Sequence, residues 1–161
     1  MRILYLVRHA KASRDDPSLS DRERPLTERG LDDAPKAGKR LARHGAQPDL
    51  IVCSPAARAL ATAQLIAAEL GYARAGIVVD DALYAAGVDD LLAVIGDTDK
   101  HVVRLMLCGH NPEFSDLASR LAGRIVDMPT CAVAQFEFDA PSWSDIGARD
   151  PLRFTLDKPE R

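Results

Sequence analysis

Four short blocks along the chain carry side chains suited to holding and attacking an anion. Arg8 and His9 come first, directly after the apolar run Ile3-Leu4-Tyr5-Leu6-Val7. Arg24 heads Arg24-Pro25-Leu26-Thr27, Arg58 lies four residues after Ser54 of Ser54-Pro55, and His110 stands in Gly109-His110-Asn111-Pro112. An imidazole is neutral near pH 7, nucleophilic and able to leave again, so it can accept a phosphoryl group and pass it on. A guanidinium stays charged and can offer parallel N–H donors to two phosphate oxygens at once. Taken singly, each residue has an ordinary structural reading: a histidine after a strand or an arginine in a first helical turn is commonly just solvated or packed. Together they define a phosphate chemistry, provided the fold brings them to one place.

Short apolar runs at Ile3–Val7, Asp49–Cys53, Ile77–Val79, Val103–Cys108, 131–138 and Leu152–Leu156 have strand length. Stretches of helical period separate most of them, which predicts an α/β domain. The periodicity predicts helices over about 27–44, from Ser54-Pro55 to Leu70, over about 88–97, and from Asn111-Pro112 to about 122. On the first, Leu31, Ala34, Gly38, Leu41 and Ala42 form the expected inner face, and Pro35 predicts a kink in the opening turns. On the second the expected stripe is Leu60, Ala63, Ala67 and Leu70, with Gly71 as the stop. On the last it is Phe114, Leu117, Ala118 and Leu121. Ser54-Pro55 and Asn111-Pro112 both read as an N-cap followed by proline in the first helical position. Residues 10–26 read as a polar loop of a length that is usually functional.

Arg8-His9, Ser54 to Arg58, and Gly109-His110-Asn111 therefore each follow a strand. In open α/β sheets, ligands gather beyond the carboxyl ends of the strands. Two of these segments also open helices, whose unpaired N–H groups and dipole favour an anion.

Composition limits the alternatives. The chain has 161 residues, a length that suits one compact domain, expected to span 1–161. Apolar residues make up 47% and charged residues 28%, the balance of a globular protein. A net charge of −3 gives no general attraction to nucleic acid or an anionic membrane, so any anion site must come from local arginines. Cys53, Cys108 and Cys131 have no paired spacing and read as buried, reduced thiols. The opening apolar run is too short for a signal or a membrane span, so the expected compartment is the cytoplasm. His44 and His101 read as surface residues, while Tyr84 and Trp143 could flank a pocket but read better as core or loop packing.

Leu6-Val7-Arg8-His9-Ala10, Arg24-Pro25-Leu26-Thr27, Ser54-Pro55 with Arg58-Ala59 and Thr62-Ala63, and Gly109-His110-Asn111-Pro112 resemble, in order and context, the histidine phosphatase superfamily. The compact length resembles its short, SixA-type phosphohistidine phosphatase branch. The resemblance implies a phosphoglycerate mutase-like fold: a three-layer sandwich whose central, mostly parallel sheet carries helices on both faces. It implies His9 as the nucleophile that carries a phosphoryl intermediate, with its second ring nitrogen held by a backbone carbonyl. Arg8, Arg24 and Arg58 would bind the phosphate, and His110 would donate to an oxygen, in protonated form if its surroundings allow. Asn111 would cap its helix, touch phosphate, or both. No metal or cofactor is implied. The implied partner is a phosphohistidine protein or a small phosphorylated metabolite.

One position departs from the pattern. Mutase-type relatives carry a general acid in a Leu-x-Glu segment, and the matching stretch here is Leu83-Tyr84-Ala85. Asp80, Asp81 and Asp89 lie nearby at other spacings. An alkoxide leaving group needs a positioned acid, worth about 10²–10⁴ in rate, whereas an imidazole leaves far more easily. The gap therefore favours phosphohistidine. Two competing classes stay open: a metallohydrolase, for which no His-Glu-x-x-His or His-x-Asp spacing exists, and a phosphate-binding module without turnover.

Overall fold

The computed structural model describes residues 1–160. In chain order the elements are β1 (Arg2–Arg8), α1 (Glu28–Arg43), β2 (Leu50–Cys53), α2 (Ala57–Leu70), β3 (Val78–Val79), α3 (Val88–Gly96), β4 (Arg104–Gly109), α4 (Glu113–Ala122), β5 (Val133–Phe138) and β6 (Arg153–Asp157), with short 3₁₀ turns between some of them. The described strands form a six-stranded sheet in the order β3-β2-β4-β1-β5-β6. β3, β2, β4 and β1 pair in parallel, and β5 runs against both β1 and β6. This is the mostly parallel sheet that the family resemblance implies.

Period-two alternation along each strand builds two cores. Leu4, Leu6, Val52, Leu105, Leu107, Phe136 and Phe138 face α3 and α4, with Trp143 closing that layer. Tyr5, Val7, Ile51, Cys53, Met106, Cys108 and Val133 face α1 and α2. Successive strand side chains point to opposite faces, so a run that is apolar throughout must be buried on both. The result is a three-layer α/β sandwich. No helix among the described residues is long and apolar enough to cross a membrane.

Helix α1 departs from its expected face. Ala34, Gly38 and Leu41 are buried, but Leu31 is 53% exposed and Ala42 is also exposed. Small residues set the helix rotation. A Cβ on Gly38 would stand 2.8 Å from the Glu69 Cβ, and one on Gly30 would stand 2.3 Å from the Lys11 carbonyl oxygen. Close approach through Gly30, Ala34, Ala37 and Gly38 rolls Leu31 and Ala42 outward. Helix α1 also runs unbroken past Pro35. Proline deletes the bond to the Leu31 carbonyl, and Leu31 lies on the exposed side, where solvent can serve that acceptor.

Helix α2 is shifted too. Its buried residues are Arg58, Ala59, Thr62, Ala63, Ile66 and Ala67, while Leu60 and Leu70 lie half-buried at the margin of the core. The inward turn of Arg58 and Thr62 is what the site requires. Gly71 ends the helix in the left-handed region, at φ 69°.

Candidate active site

Strand β4 lies between β1 and β2, so the carboxyl ends of all three open on one edge of the sheet. A cavity of about 370 Å³ lies there, and its walls include Arg8, His9, Arg24, Arg58, His110 and Asn111. The six site residues expected from sequence thus meet, although 103 positions separate Arg8 from Asn111 (111 − 8). The end of β1 is clasped from the far side: the Cys131 N–H donates to the carbonyls of Arg8 and His9 at 3.1 and 3.0 Å. Cys131 adopts a left-handed backbone, φ 63°, to do so. Gly109 permits a second close approach, since a Cβ there would stand 2.6 Å from the Phe114 ring.

The two imidazoles sit with ring centroids 5.2 Å apart and are each more than nine-tenths buried. His9 Nδ1 donates to the Ala10 carbonyl at 2.7 Å, which leaves Nε2 as the nitrogen with a lone pair. The Ala10 N–H is itself anchored on Thr62 Oγ1 at 3.0 Å, so α2 braces the segment that carries His9. Arg58 Nη2 donates to His110 Nδ1 at 3.4 Å, and His110 Nε2 donates to Ser54 Oγ at 2.7 Å. Burial, reinforced by the nearby cations, pushes His9 down to about 3 and His110 down to about 4. Both rings are therefore neutral at pH 7. For His110 this decides between the two forms left open by the sequence in favour of the neutral one: burial first, and then the neighbouring arginines, disfavour a further positive charge.

The arginines enter from three segments. Arg8 extends from β1 and donates from Nη1 to the Met128 carbonyl at 3.0 Å. Arg58 sits in the first turn of α2, and Arg24 bonds Ser13 O through Nε at 3.1 Å. The Nε–H groups of Arg8 and Arg58 are buried and have no hydrogen-bond partner among the described residues.

Both helix starts differ from expectation. Helix α2 begins at Ala57 with Ala56 as its N-cap, and Ser54 instead accepts from the Ala56 N–H at 3.2 Å and from His110. Helix α4 begins at Glu113 with Pro112 in the capping position, after a cis Asn111–Pro112 peptide. Asn111 still caps it by side chain, because its Oδ1 accepts from the Ser115 N–H at 3.1 Å. Its Nδ2 donates to Met128 O at 2.9 Å, so both polar ends of Asn111 are committed to the scaffold.

Sequence reasoning missed Asp21 and misjudged Tyr84. The Asp21 carboxylate pairs with Arg24 and Arg58, both at 2.9 Å, and accepts from the Tyr84 hydroxyl. These bonds, Tyr84 first, hold its carboxyl well below the usual carboxylate range. A signal was present: Ser20 and Glu23 form a capping box around the turn that carries Asp21, three residues before Arg24. Tyr84 is a pocket wall rather than packing, its ring edge-on to His110 at 5.6 Å. Ala85 lines the cavity in the position of the absent acid, while Asp80, Asp81 and Asp89 are not part of its wall. Trp143 is core, and His44 and His101 are exposed, as expected. Among the described residues no group of three or more His, Cys, Asp or Glu side chains is placed to hold a metal ion.

Residues 4–87 match the family model of the histidine phosphatase superfamily, branch 1. The chain belongs to that superfamily. It is 30% identical to a SixA protein of Agrobacterium tumefaciens, provisionally assigned as a phosphohistidine phosphatase, over 84% of this chain and 90% of that one, with a TM-score of 0.77. It shares its fold with a protein histidine phosphatase SixA complexed with tungstate, at 21% identity and a TM-score of 0.79 over 96% and 94% of the two chains. An uncharacterised chloroplastic protein of Arabidopsis thaliana is 31% identical over 160 residues, 91% of this chain and 71% of that one. In this histidine phosphatase the four sequence blocks and the cavity walls coincide.

Proposed function

We propose that this histidine phosphatase removes the phosphoryl group from phosphohistidine in a protein substrate, through a phosphohistidine intermediate on His9. The observation that carries the reading is a neutral, carbonyl-anchored His9 in a cavity also lined by Arg8, Arg24, Arg58 and His110. His9 Nε2 attacks phosphorus as the P–N bond to the substrate imidazole breaks, and the departing ring takes its proton from solvent. Water then attacks the phosphoryl group on His9, and inorganic phosphate leaves. The transition state is loose, so the work left to the protein is positioning and charge. Arg8, Arg24 and Arg58 supply the charge, and His110, with its tautomer set by Ser54, lines the phosphoryl path. Asn111 serves the reaction by ordering the start of α4.

Ala85 supports the choice of substrate, since a phosphoramidate dispenses with the acid that a sugar phosphate needs. The assignment of the Agrobacterium SixA relative supports the same substrate class. The test is to incubate the protein with a labelled phosphohistidine peptide, quench it, and locate the label. An acid-labile, alkali-stable adduct on His9, absent in His9→Ala, is the expected result. A protein that binds vanadate but forms no adduct and turns over neither the peptide nor an aryl phosphate would be a binding module instead.

A further inference from the structure

We infer that Asp21 is a positioning residue for the reaction proposed above: it fixes the plane of the Arg58 guanidinium and thereby selects which N–H groups face the phosphoryl group. The inference rests on that reading of the pocket but takes its support from a different set of contacts.

Arg58 is held by one residue at both ends of its fork. Its Nη1 donates to the Asp21 backbone carbonyl at 2.6 Å, and its Nη2 donates to Asp21 Oδ2 at 2.9 Å. A guanidinium has five N–H groups in a rigid plane. Two points of attachment on the same residue fix that plane, leaving the second hydrogen of each Nη to work at the cavity, with Nη2 itself 3.4 Å from His110 Nδ1. The other carboxylate oxygen, Oδ1, holds Arg24 Nη1 at 2.9 Å, so one side chain sets the spacing of two phosphate-facing arginines. Tyr84 completes the arrangement by donating its hydroxyl to Oδ2, and Arg22 lies over the Tyr84 ring at 4.6 Å. Asp21 thus ties together three segments: the loop before α1, the first turn of α2, and the turn before α3.

Asp21 is not the missing proton donor. Its partners hold the carboxyl ionised, and every contact it makes is as an acceptor. A carboxylate beside an anion pocket also opposes phosphate by simple Coulomb repulsion. Its presence there costs ground-state affinity, so the geometry points to a benefit realised in the transition state, where donor direction counts most.

This leads to an unusual signature. Asp21→Asn keeps the side-chain volume and removes the charge that anchors both arginines. Affinity for inorganic phosphate, a ground-state ligand, is expected to stay within about threefold of the parent or to tighten. Affinity for vanadate, which adopts the five-coordinate geometry of the transferring phosphoryl group, is expected to fall about 10–100-fold, with kcat falling alongside it. Tyr84→Phe, which removes only the hydroxyl holding Asp21, should give a smaller change in the same direction. The double variant should be no worse than Asp21→Asn, because Tyr84 acts through the carboxylate. Parallel loss of phosphate and vanadate binding, additive effects in the cycle, or vanadate affinity within twofold of the parent in Asp21→Asn would each overturn the inference. Both affinities are read without turnover, so a parent protein that forms no adduct on His9 would defeat the proposed function while leaving this test intact.

Discussion

The starts of α2 and α4 carry the same sequence signal and put it to different uses. Each follows a parallel strand, each opens with a polar residue and a proline, and each lies at the rim of the cavity. At α4, Asn111 spends its side chain on the scaffold, on the Ser115 N–H and the Met128 carbonyl. At α2, Ser54 shares its hydroxyl oxygen between the Ala56 N–H and His110, and the N-cap residue Ala56 has no side-chain cap to offer. The α2 start also turns Arg58 inward, whereas α4 contributes Phe114, packed beneath Gly109. A capping side chain can serve a helix N–H and a second partner together, and the second partner differs at the two starts: a backbone carbonyl for Asn111, the His110 ring for Ser54. The comparison separates a start built for chemistry from one built for stability.

The sharpest way to break that contrast is at Arg58. Arg58→Ala removes a guanidinium that lines the pocket, and kcat/KM is expected to fall by about 10³, with vanadate binding lost in titration calorimetry. Near-parental vanadate affinity would place the clamp elsewhere. Ser54→Ala comes next. It strands the His110 Nε2–H in a buried position and frees the ring to rotate; turnover should fall roughly tenfold and stability by about 1–3 kcal/mol in urea melts. An unchanged rate would show that the His110 tautomer is set without Ser54.

Acid offers a third probe. His9 and His110 are depressed in the folded state to about 3 and about 4, below the unfolded value near 6.5. As pH falls through 6.5, the unfolded chain takes up protons that the native pocket refuses, so stability declines on the acid side and is fully restored only above that value. By pH 5 each ring costs about 2 kcal/mol. Urea melts of the parent and of His110→Gln at pH 5 and 7.5 should show a weaker pH dependence in the variant; parallel curves would refute the depressed value. Turnover, by contrast, should keep both imidazoles neutral from pH 8 down to about 5. The smallest effect belongs to the α4 start: Asn111→Ala should cost about 1 kcal/mol of stability while kcat changes less than threefold. A loss of activity as large as that of Ser54→Ala would mean that Asn111 also touches phosphate.

Much of this was readable beforehand. The alternation of strand-length runs with helical stripes predicted the α/β layers, and Arg8, His9, Arg24, Arg58, His110 and Asn111 all line one cavity. Residues at the ends of buried parallel strands are legible because a run that is apolar on both faces has few places to go. Side-chain use at the rim was not legible. Ser54 read as a cap because local sequence cannot see His110, 56 positions away. Leu31 and Ala42 were assigned to the core because period alone leaves the helix rotation undetermined by about one residue, and only contact through Gly30 and Gly38 resolved it.

Residue types and their order determined the chemistry: an imidazole that can carry phosphate, arginines that can hold it, and an alanine where an acid would otherwise stand. These are intrinsic properties of side chains and need no neighbours. Tertiary structure alone decided the ring tautomers, the neutrality of His110 and the bracing of Arg58 by Asp21. Those depend on burial and on hydrogen bonds between segments 37 to 63 positions apart, which exist only once the sheet has brought its strand ends together.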